Sequence, residues 1–236
     1  MAVYRIQSED QFKMFDQYRD DVLFPNEWAE NDGLDRVDDP VWIKRYEYEA
    51  TIINSICINN GYKKILELGS GPGVLGQFIS KLNPEVEYSY VDKPQAKKAF
   101  DNRQYVGKFY VKDLMDGFDI SELDRDYDLI IANDFLEHIA NPSDIMAKCR
   151  KITKDNSSFF ISVPNWRMGH WFIYRGIFDY DNFIYFCKIH GYEPIDVYDS
   201  ILKCHPYPKL SSEETLPDEL ISSWNWYFET KKINTK

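Results

Sequence analysis

Ile65-Leu66-Glu67-Leu68-Gly69-Ser70-Gly71-Pro72-Gly73 is the stretch on which the fold of this chain turns. Ile65–Leu68 reads as a short strand, and the glycines after it read as the loop that closes the strand. Glycine lets the backbone approach a ligand closely and turn sharply into a helix. A helix is expected next, with Leu75, Phe78, Ile79 and Leu82 on one face. In an open parallel sheet, the carboxyl end of such a strand is where ligands bind.

The strand-then-helix rhythm continues downstream. Strands are expected at Tyr88–Val91, Phe109–Val111, Leu129–Ala132 and Phe159–Val163. A short helix follows Pro94. Asn141-Pro142 opens another, with Ile145, Cys149 and Ile152 on its buried side. Residues 165–180 then hold six aromatics, and a helix carrying Phe183, Phe186 and Cys187 stops at Gly191. Strand Ile195–Tyr198 follows, and Trp224, Trp226 and Phe228 alternate along a closing strand. Repeated units of this length predict a parallel sheet covered by helices on both faces. Upstream, the first sixty residues read as helical. Ser8-x-x-Gln11 is a capping-box pattern, and Asp39-Pro40 opens a second helix whose stripe is Trp42, Tyr46, Ala50, Ile53 and Cys57. Gly61 is its stop.

Composition excludes several classes. The chain has 236 residues, 44% hydrophobic and 16% aromatic, too apolar for disorder. Its longest apolar runs fall far below the ~18 residues of a membrane span. The opening MAVYRIQSEDQFK carries charges where a signal peptide needs an apolar stretch, so a cytoplasmic setting is expected. The net charge is −11, and residues 1–40 hold seven of those negative charges. Such a balance disfavours nucleic acid as partner. Cys57, Cys149, Cys187 and Cys204 form no Cys-x-x-Cys pair and read as small buried hydrophobes.

Gly71-Pro72-Gly73-Val74-Leu75-Gly76 also fits G-x-G-x-x-G, the dinucleotide fingerprint. Asp92, at the end of the second strand, is placed to accept hydrogen bonds from ribose hydroxyls in either kind of nucleotide site. Three other features decide. Glu67 sits inside the strand, where a carboxylate suits an ammonium and repels a pyrophosphate. Asp113 follows the third strand, where an acceptor meets an adenine amino group. The sole Tyr-x-x-x-Lys spacing, Tyr227/Lys231, falls in the terminal strand and not on a mid-chain helix.

Glu67-x-Gly69-x-Gly71-x-Gly73, Asp92, Asp113 and Tyr127-Asp128-Leu129-Ile130 resemble, in order, the successive motifs of class I S-adenosylmethionine-dependent methyltransferases. Asp134-Phe135-Leu136-Glu137-His138-Ile139 with Pro142, and Ser162-Val163-Pro164-Asn165, resemble the ubiquinone-biosynthesis-like (type 11) branch. The resemblance covers about residues 60–200, and residues 1–60 match none of its motifs. It implies an α/β, Rossmann-like seven-stranded mostly parallel sheet with helices on both faces and an antiparallel last strand. Residues 61–236 are then the methyltransferase domain, and residues 1–60 a helical N-terminal extension or lid. One departure is Lys154-Asp155-Asn156-Ser157, which stands where the family often has a Pro-Gly-Gly turn. Asp and Asn are adequate turn formers, so a turn is still expected there.

The resemblance implies S-adenosyl-L-methionine as cofactor. Gly69, Gly71 and Gly73 would shape its methionine and ribose pocket, Glu67 serve its amino end through water or backbone, Asp92 hold the ribose, Asp113 with the Leu114 backbone meet the adenine, and Asn133 lie beside the methionine part. Methyl transfer is an in-line displacement, in which alignment can supply roughly 7–11 kcal/mol. A hydroxyl acceptor also calls for a nearby base. His138 is the candidate catalytic base, though Glu137-His138 equally reads as a cap packing the next helix. Asp134, Glu137 and His138 form an acid-x-x-Glu-His run, and no metal is assigned to it. His190 reads as structural, and His205 as part of a Cys-His-Pro loop. Asn165, Trp166 and His170, in the aromatic stretch with Arg167 and Arg175, are the candidate substrate contacts. The expected function is methylation of a small molecule, O-directed by preference. A protein or RNA methyltransferase, or a non-catalytic cofactor-binding module, are the alternatives.

Overall fold

The computed structural model describes residues 40–114, 119–164, 180–198, 204–206 and 225–233. In chain order these form α1 (Pro40–Asn60), β1 (Lys64–Leu68), α2 (Val74–Leu82), β2 (Glu87–Asp92), α3 (Pro94–Asn102), β3 (Lys108–Val111), β4 (Tyr127–Asn133), α4 (Pro142–Ile152), β5 (Thr153–Pro164), α5 (Tyr180–Ile189), β6 (Tyr192–Tyr198), β7 (Cys204–Pro206) and β8 (Asn225–Lys232). Short 3-10 turns at Ile120–Glu122 and Leu136–His138 precede β4 and α4. The strand order is β3-β2-β1-β4-β5-β8-β6-β7.

The pairs β1·β2, β1·β4, β2·β3 and β4·β5 are parallel, and β8 runs antiparallel between β5 and β6. This is the expected seven-stranded, mostly parallel sheet, with β7 added at one edge. The Cys-His-Pro sequence reads as a loop, yet the backbone of Cys204–Pro206 pairs with Asp196–Tyr198, so His205 sits in an edge strand. A three-residue strand is too short for any hydrophobic alternation to announce it.

Side chains alternate across the sheet with a period of two, and each face gathers its own core. On one face Ile65, Tyr88, Tyr90, Leu129, Ile131, Phe160 and Tyr227 pack under α1, α2 and Phe100 of α3. On the other, Leu66, Leu68, Ile130, Ala132, Phe159, Ile161 and Phe228 pack against Ile145, Met146 and Cys149 of α4 and Phe183 and Cys187 of α5. Burial of each Leu, Ile, Phe and Met side chain among them contributes roughly 1.5–3 kcal/mol. The α1 stripe behaves as its spacing predicts: Ala50, Ile53 and Cys57 are buried, and Gly61 follows at φ 68°. Pro142 opens α4, and the Asn141 side chain caps it by accepting from the Asp144 N–H at 3.1 Å. Cys57, Cys149 and Cys187 are buried free thiols, and burial pushes the Cys57 thiol up to about 12.

The residues expected as a turn after α4 lie inside β5. Tyr127 pairs with Thr153 but Leu129 pairs with Ser158, so Lys154–Ser157 form an excursion opposite the single residue Asp128. Asp128 organises that corner. Its Oδ2 accepts from the N–H groups of Lys63 and Lys64 at 2.9 and 3.0 Å, and its Oδ1 from Lys154 Nζ at 2.7 Å. Removing a buried acceptor leaves its donors unsatisfied at about 1–3 kcal/mol each. Asp128→Ala is therefore expected to lower stability by about 2–4 kcal/mol in chemical denaturation. A change under about 0.5 kcal/mol would show that water replaces the carboxylate.

Candidate active site

The register between β1 and β4 fixes the height of the site. Glu67 pairs with Ile131, so the next two residues of each strand bring Gly69 level with Asn133. Gly69, Gly71 and Gly73 all have positive φ, at 65°, 52° and 82°. At Gly69 a second demand applies, because a Cβ there would stand 2.5 Å from Phe135 Cδ2. Only glycine meets both demands at no cost.

The loop spends its own donors. The Gly69 and Ser70 N–H groups donate to Val91 O at 2.9 and 3.3 Å, and Gly73 N–H donates to Ser70 O at 3.0 Å. Gly71 N–H donates to Asp92 Oδ2 at 2.6 Å, while Lys93 N–H donates to Asp92 Oδ1 at 2.7 Å. Two backbone amides thus hold the Asp92 carboxylate beside the loop, and each oxygen retains further acceptor capacity. Burial raises the Asp92 carboxyl above its ordinary range, against those same two amides.

Glu67 is buried on the α1 side of the sheet. The Tyr88 hydroxyl donates to its Oε2 at 3.0 Å. Burial pushes its carboxyl up to about 8, with the Tyr88 hydrogen bond opposing and the charges of Glu49 and Asp92 adding to the rise.

A charged cluster that the sequence reading did not anticipate sits over the crest of β4. Arg45 Nε donates to Glu49 Oε1 at 2.6 Å, and Arg45 Nη2 to Asp134 Oδ2 at 2.6 Å. Asn133 Nδ2 donates to Glu49 Oε2 at 3.1 Å. The guanidinium carbon lies 5.0 Å from the Trp42 ring centre and 5.6 Å from that of Tyr227. Burial alone would lower the Arg45 pKa, but Asp134 and Glu49 outweigh it and hold the guanidinium charged. Burial raises the Glu49 carboxyl, with Arg45 pulling back. Asp134 adopts φ 47° just past the strand. Ser162 Oγ stabilises this bend by accepting from Asp134 N–H at 2.9 Å and donating to Asp134 Oδ1 at 2.8 Å. A signal for the cluster was present: Glu49 occupies a buried position within the apolar stripe of α1, one turn after Arg45.

The remaining expected residues divide. His138 ends the 3-10 turn beyond β4, and its side chain keeps 22% exposure. Its Nε2 is 3.7 Å from Oε1 of the buried Glu137, whose carboxyl is raised well above its ordinary value by burial first and by Asp134 next. Asp113 is exposed just after β3, and Leu114 beside it is buried. Among the described residues, no three His, Cys, Asp or Glu side chains converge to hold a metal ion. Asn165, Trp166 and His170 lie outside the described residues. No described helix is long and apolar enough to cross a membrane.

The chain matches the family model described as a methyltransferase domain over residues 16–196, which takes in α1. A ubiquinone biosynthesis O-methyltransferase of Proteus mirabilis is 27% identical over 113 residues, covering 47% of this chain and 46% of the relative. The same-named protein of Pasteurella multocida is 26% identical over 144 residues, covering 52% and 60%. The matched stretch thus spans about half the length of these curated relatives. A ribosomal RNA small subunit methyltransferase C of Haemophilus influenzae is 34% identical over 82 residues, covering 32% of this chain and 23% of its own length. Among solved structures, an S-adenosylmethionine-dependent methyltransferase of Clostridium acetobutylicum shares the fold at TM-score 0.59 and 13% identity, covering 94% of this chain and 99% of its own. The plantazolicin methyltransferase BpumL, crystallised with SAH, does so at TM-score 0.55 and 14% identity, covering 97% and 92%.

The Glu67 environment yields a pH prediction. A carboxyl raised in the fold contributes stability that is full below its unfolded value near 4.3 and is lost as pH rises through about 8. Glu67→Gln is expected to be more stable than the parent at pH 9, by on the order of a few kcal/mol, with the gap closing toward pH 5. Denaturation curves at both pH values measure it. A gap independent of pH would mean that Glu67 keeps an ordinary pKa.

Proposed function

We propose that this chain, which belongs to the methyltransferase domain family, moves a methyl group from S-adenosylmethionine to a hydroxyl of a small molecule. The observation that carries the reading is a crevice lined with acceptors whose loop amides already donate within the protein. The adenosyl sulfonium amino acid suits that inventory. Its ribose diol has donors for the Asp92 oxygens, and its ammonium has them for Glu67. Asp113 and Leu114 flank the same edge, with a carboxylate for the adenine amino group and an apolar side chain for the ring. The missing Cβ of Gly69 lets the Phe135 side chain pack directly against the loop backbone.

When bound, S-adenosylmethionine supplies an activated methyl on a good leaving group. The chain's own residues contribute orientation and proton transfer. Asp92, clamped by two amides, fixes the ribose end, and Glu67 fixes the amino end. α1, pinned over β4 through Arg45 and Asp134, covers the crevice on one side and limits water. The His138 imidazole takes the proton of the acceptor hydroxyl as the methyl arrives. Asn165, Trp166 and His170 follow β5 in the chain and are the proposed substrate contacts. An RNA acceptor is the second reading, favoured by the Haemophilus relative's name and opposed by the −11 charge. A cytoplasmic setting is supported by the three buried free thiols.

Incubation with S-adenosylmethionine and separate pools of metabolites, peptides and RNA tests the reading. S-adenosylhomocysteine is expected with the metabolite pool; its formation with RNA alone would reverse the order of the two readings, and none with any pool would leave a binding module. Within an active system, His138→Ala is expected to lower kcat by about 100- to 10,000-fold with S-adenosylhomocysteine affinity unchanged. Full turnover would remove His138 as the base.

A further inference from the structure

We propose that Glu49 is a positioning residue that sets the amide of Asn133 so that its oxygen, and not its nitrogen, meets the ammonium of the bound cofactor. The inference rests on the crevice being an S-adenosylmethionine site. Its basis is the buried geometry around α1. Glu49 is fully buried, a costly place for a carboxylate. It lies against Arg45 Nε at 2.6 Å and Asn133 Nδ2 at 3.1 Å, and the Tyr227 hydroxyl is a third hydrogen-bond partner. A carboxylate accepts only, so it selects the amide orientation that turns Nδ2 toward it. Asn133 Oδ1 is thereby directed elsewhere. That oxygen is buried and has no hydrogen-bond partner among the described residues. A buried acceptor without a donor calls for an explanation, and an incoming N–H supplies one.

The register identifies which part of the cofactor brings that N–H. In a parallel pair, residues opposite each other point to the same face, and Glu67 is opposite Ile131. Asn133 lies two residues on and returns to that face. Its side chain therefore stands above Glu67, at the level of Gly69. An ammonium held by Glu67 lies within the reach of a donor-seeking oxygen there. Arg45 completes the arrangement. Its Nη2 is held by Asp134 and its Nε by Glu49 Oε1, while Asn133 Nδ2 takes Glu49 Oε2.

Glu49→Gln preserves volume and changes this logic. The substituted amide has one oxygen, which Arg45 Nε claims, and its own NH2 then faces Asn133. The Asn133 amide must turn over, presenting a donor where the ammonium requires an acceptor. The test is calorimetric binding of S-adenosylhomocysteine and of its analogue lacking the α-amino group, to the parent chain and to Glu49→Gln, Asn133→Ala and the double variant. The parent is expected to favour the amino compound by at least about tenfold. Glu49→Gln is expected to erase about tenfold of that preference while affinity for the deamino analogue is unchanged. Asn133→Ala should do the same, and adding Glu49→Gln to it should change the preference no further. Equal losses for both compounds would make Glu49 merely structural and overturn the proposal, leaving the cofactor reading intact. A further loss of preference in the double variant would also overturn it. A parent chain that binds neither compound overturns the cofactor reading and this inference with it.

Discussion

Parallel pairing of β1 with β4 ends two central strands at the same height, and the crevice follows from that constraint. Parallel neighbours cannot be joined by tight turns, so their connections leave from the carboxyl ends and clear a space above them. At one strand end the chain turns through the glycine loop. At the other it turns through Asp134 in a left-handed conformation braced by Ser162. The edge that receives these turns also receives the carboxyl end of β2, which delivers Asp92 to the loop.

Over this edge lies α1, and its attachment is partly apolar and partly ionic. Ala50, Ile53, Ile56 and Cys57 fix the helix to the sheet by burial. Arg45 and Glu49, toward the other end, meet Asp134 and Asn133. A buried ion pair adds little net stability, because desolvation offsets most of the attraction. Its geometric consequence is larger. Apolar contacts alone would tolerate small slides of α1, whereas the short Arg45–Asp134 ion pair and the Asn133–Glu49 hydrogen bond specify its height over β4. The helix is thus seated in a register that sets the orientation of groups at the strand end.

The sheet was legible because its strands bury both faces and read as short apolar runs, such as Leu129–Ala132. The caps were legible because Asn141-Pro142 uses side-chain chemistry local to the sequence. Asp92 stood out by spacing alone, and the structure clamps it against Gly71. The Arg45–Asp134 contact was not legible, since it joins residues 89 positions apart and no local pattern encodes such a pairing. Glu49 was nearly so: an acid within the apolar stripe of a helix must find a buried partner, but the stripe does not say which. The excursion at Lys154–Ser157 depends on Asp128, 26 positions from Lys154, so composition suggested a turn where the sheet absorbs a bulge.

The glycine pattern itself is ambiguous, and hydrogen bonding resolves what spacing could not. A loop that cradles phosphate keeps its amides pointing at the ligand, where they and the helix terminus attract negative charge. From Gly69 to Gly73 there are four such amides, because Pro72 has none. All four donate inside the protein, three to backbone oxygens and the fourth to the Asp92 carboxylate. A pyrophosphate arriving at Gly69–Gly73 would find these four donors taken and a carboxylate already drawn against the loop. Under the proposed function, a ligand rich in donors would meet Asp92, Glu67 and Asn133 Oδ1 as acceptors, on the two strands that flank β1 and on β1 itself. The run Gly71-Pro72-Gly73-Val74-Leu75-Gly76 satisfies the dinucleotide spacing for a geometric reason shared by both kinds of site, a sharp strand-to-helix turn. An acid at the end of β2 is common to both kinds of site, so the discrimination lies in how the loop amides are used, and here Asp92 takes up the Gly71 amide.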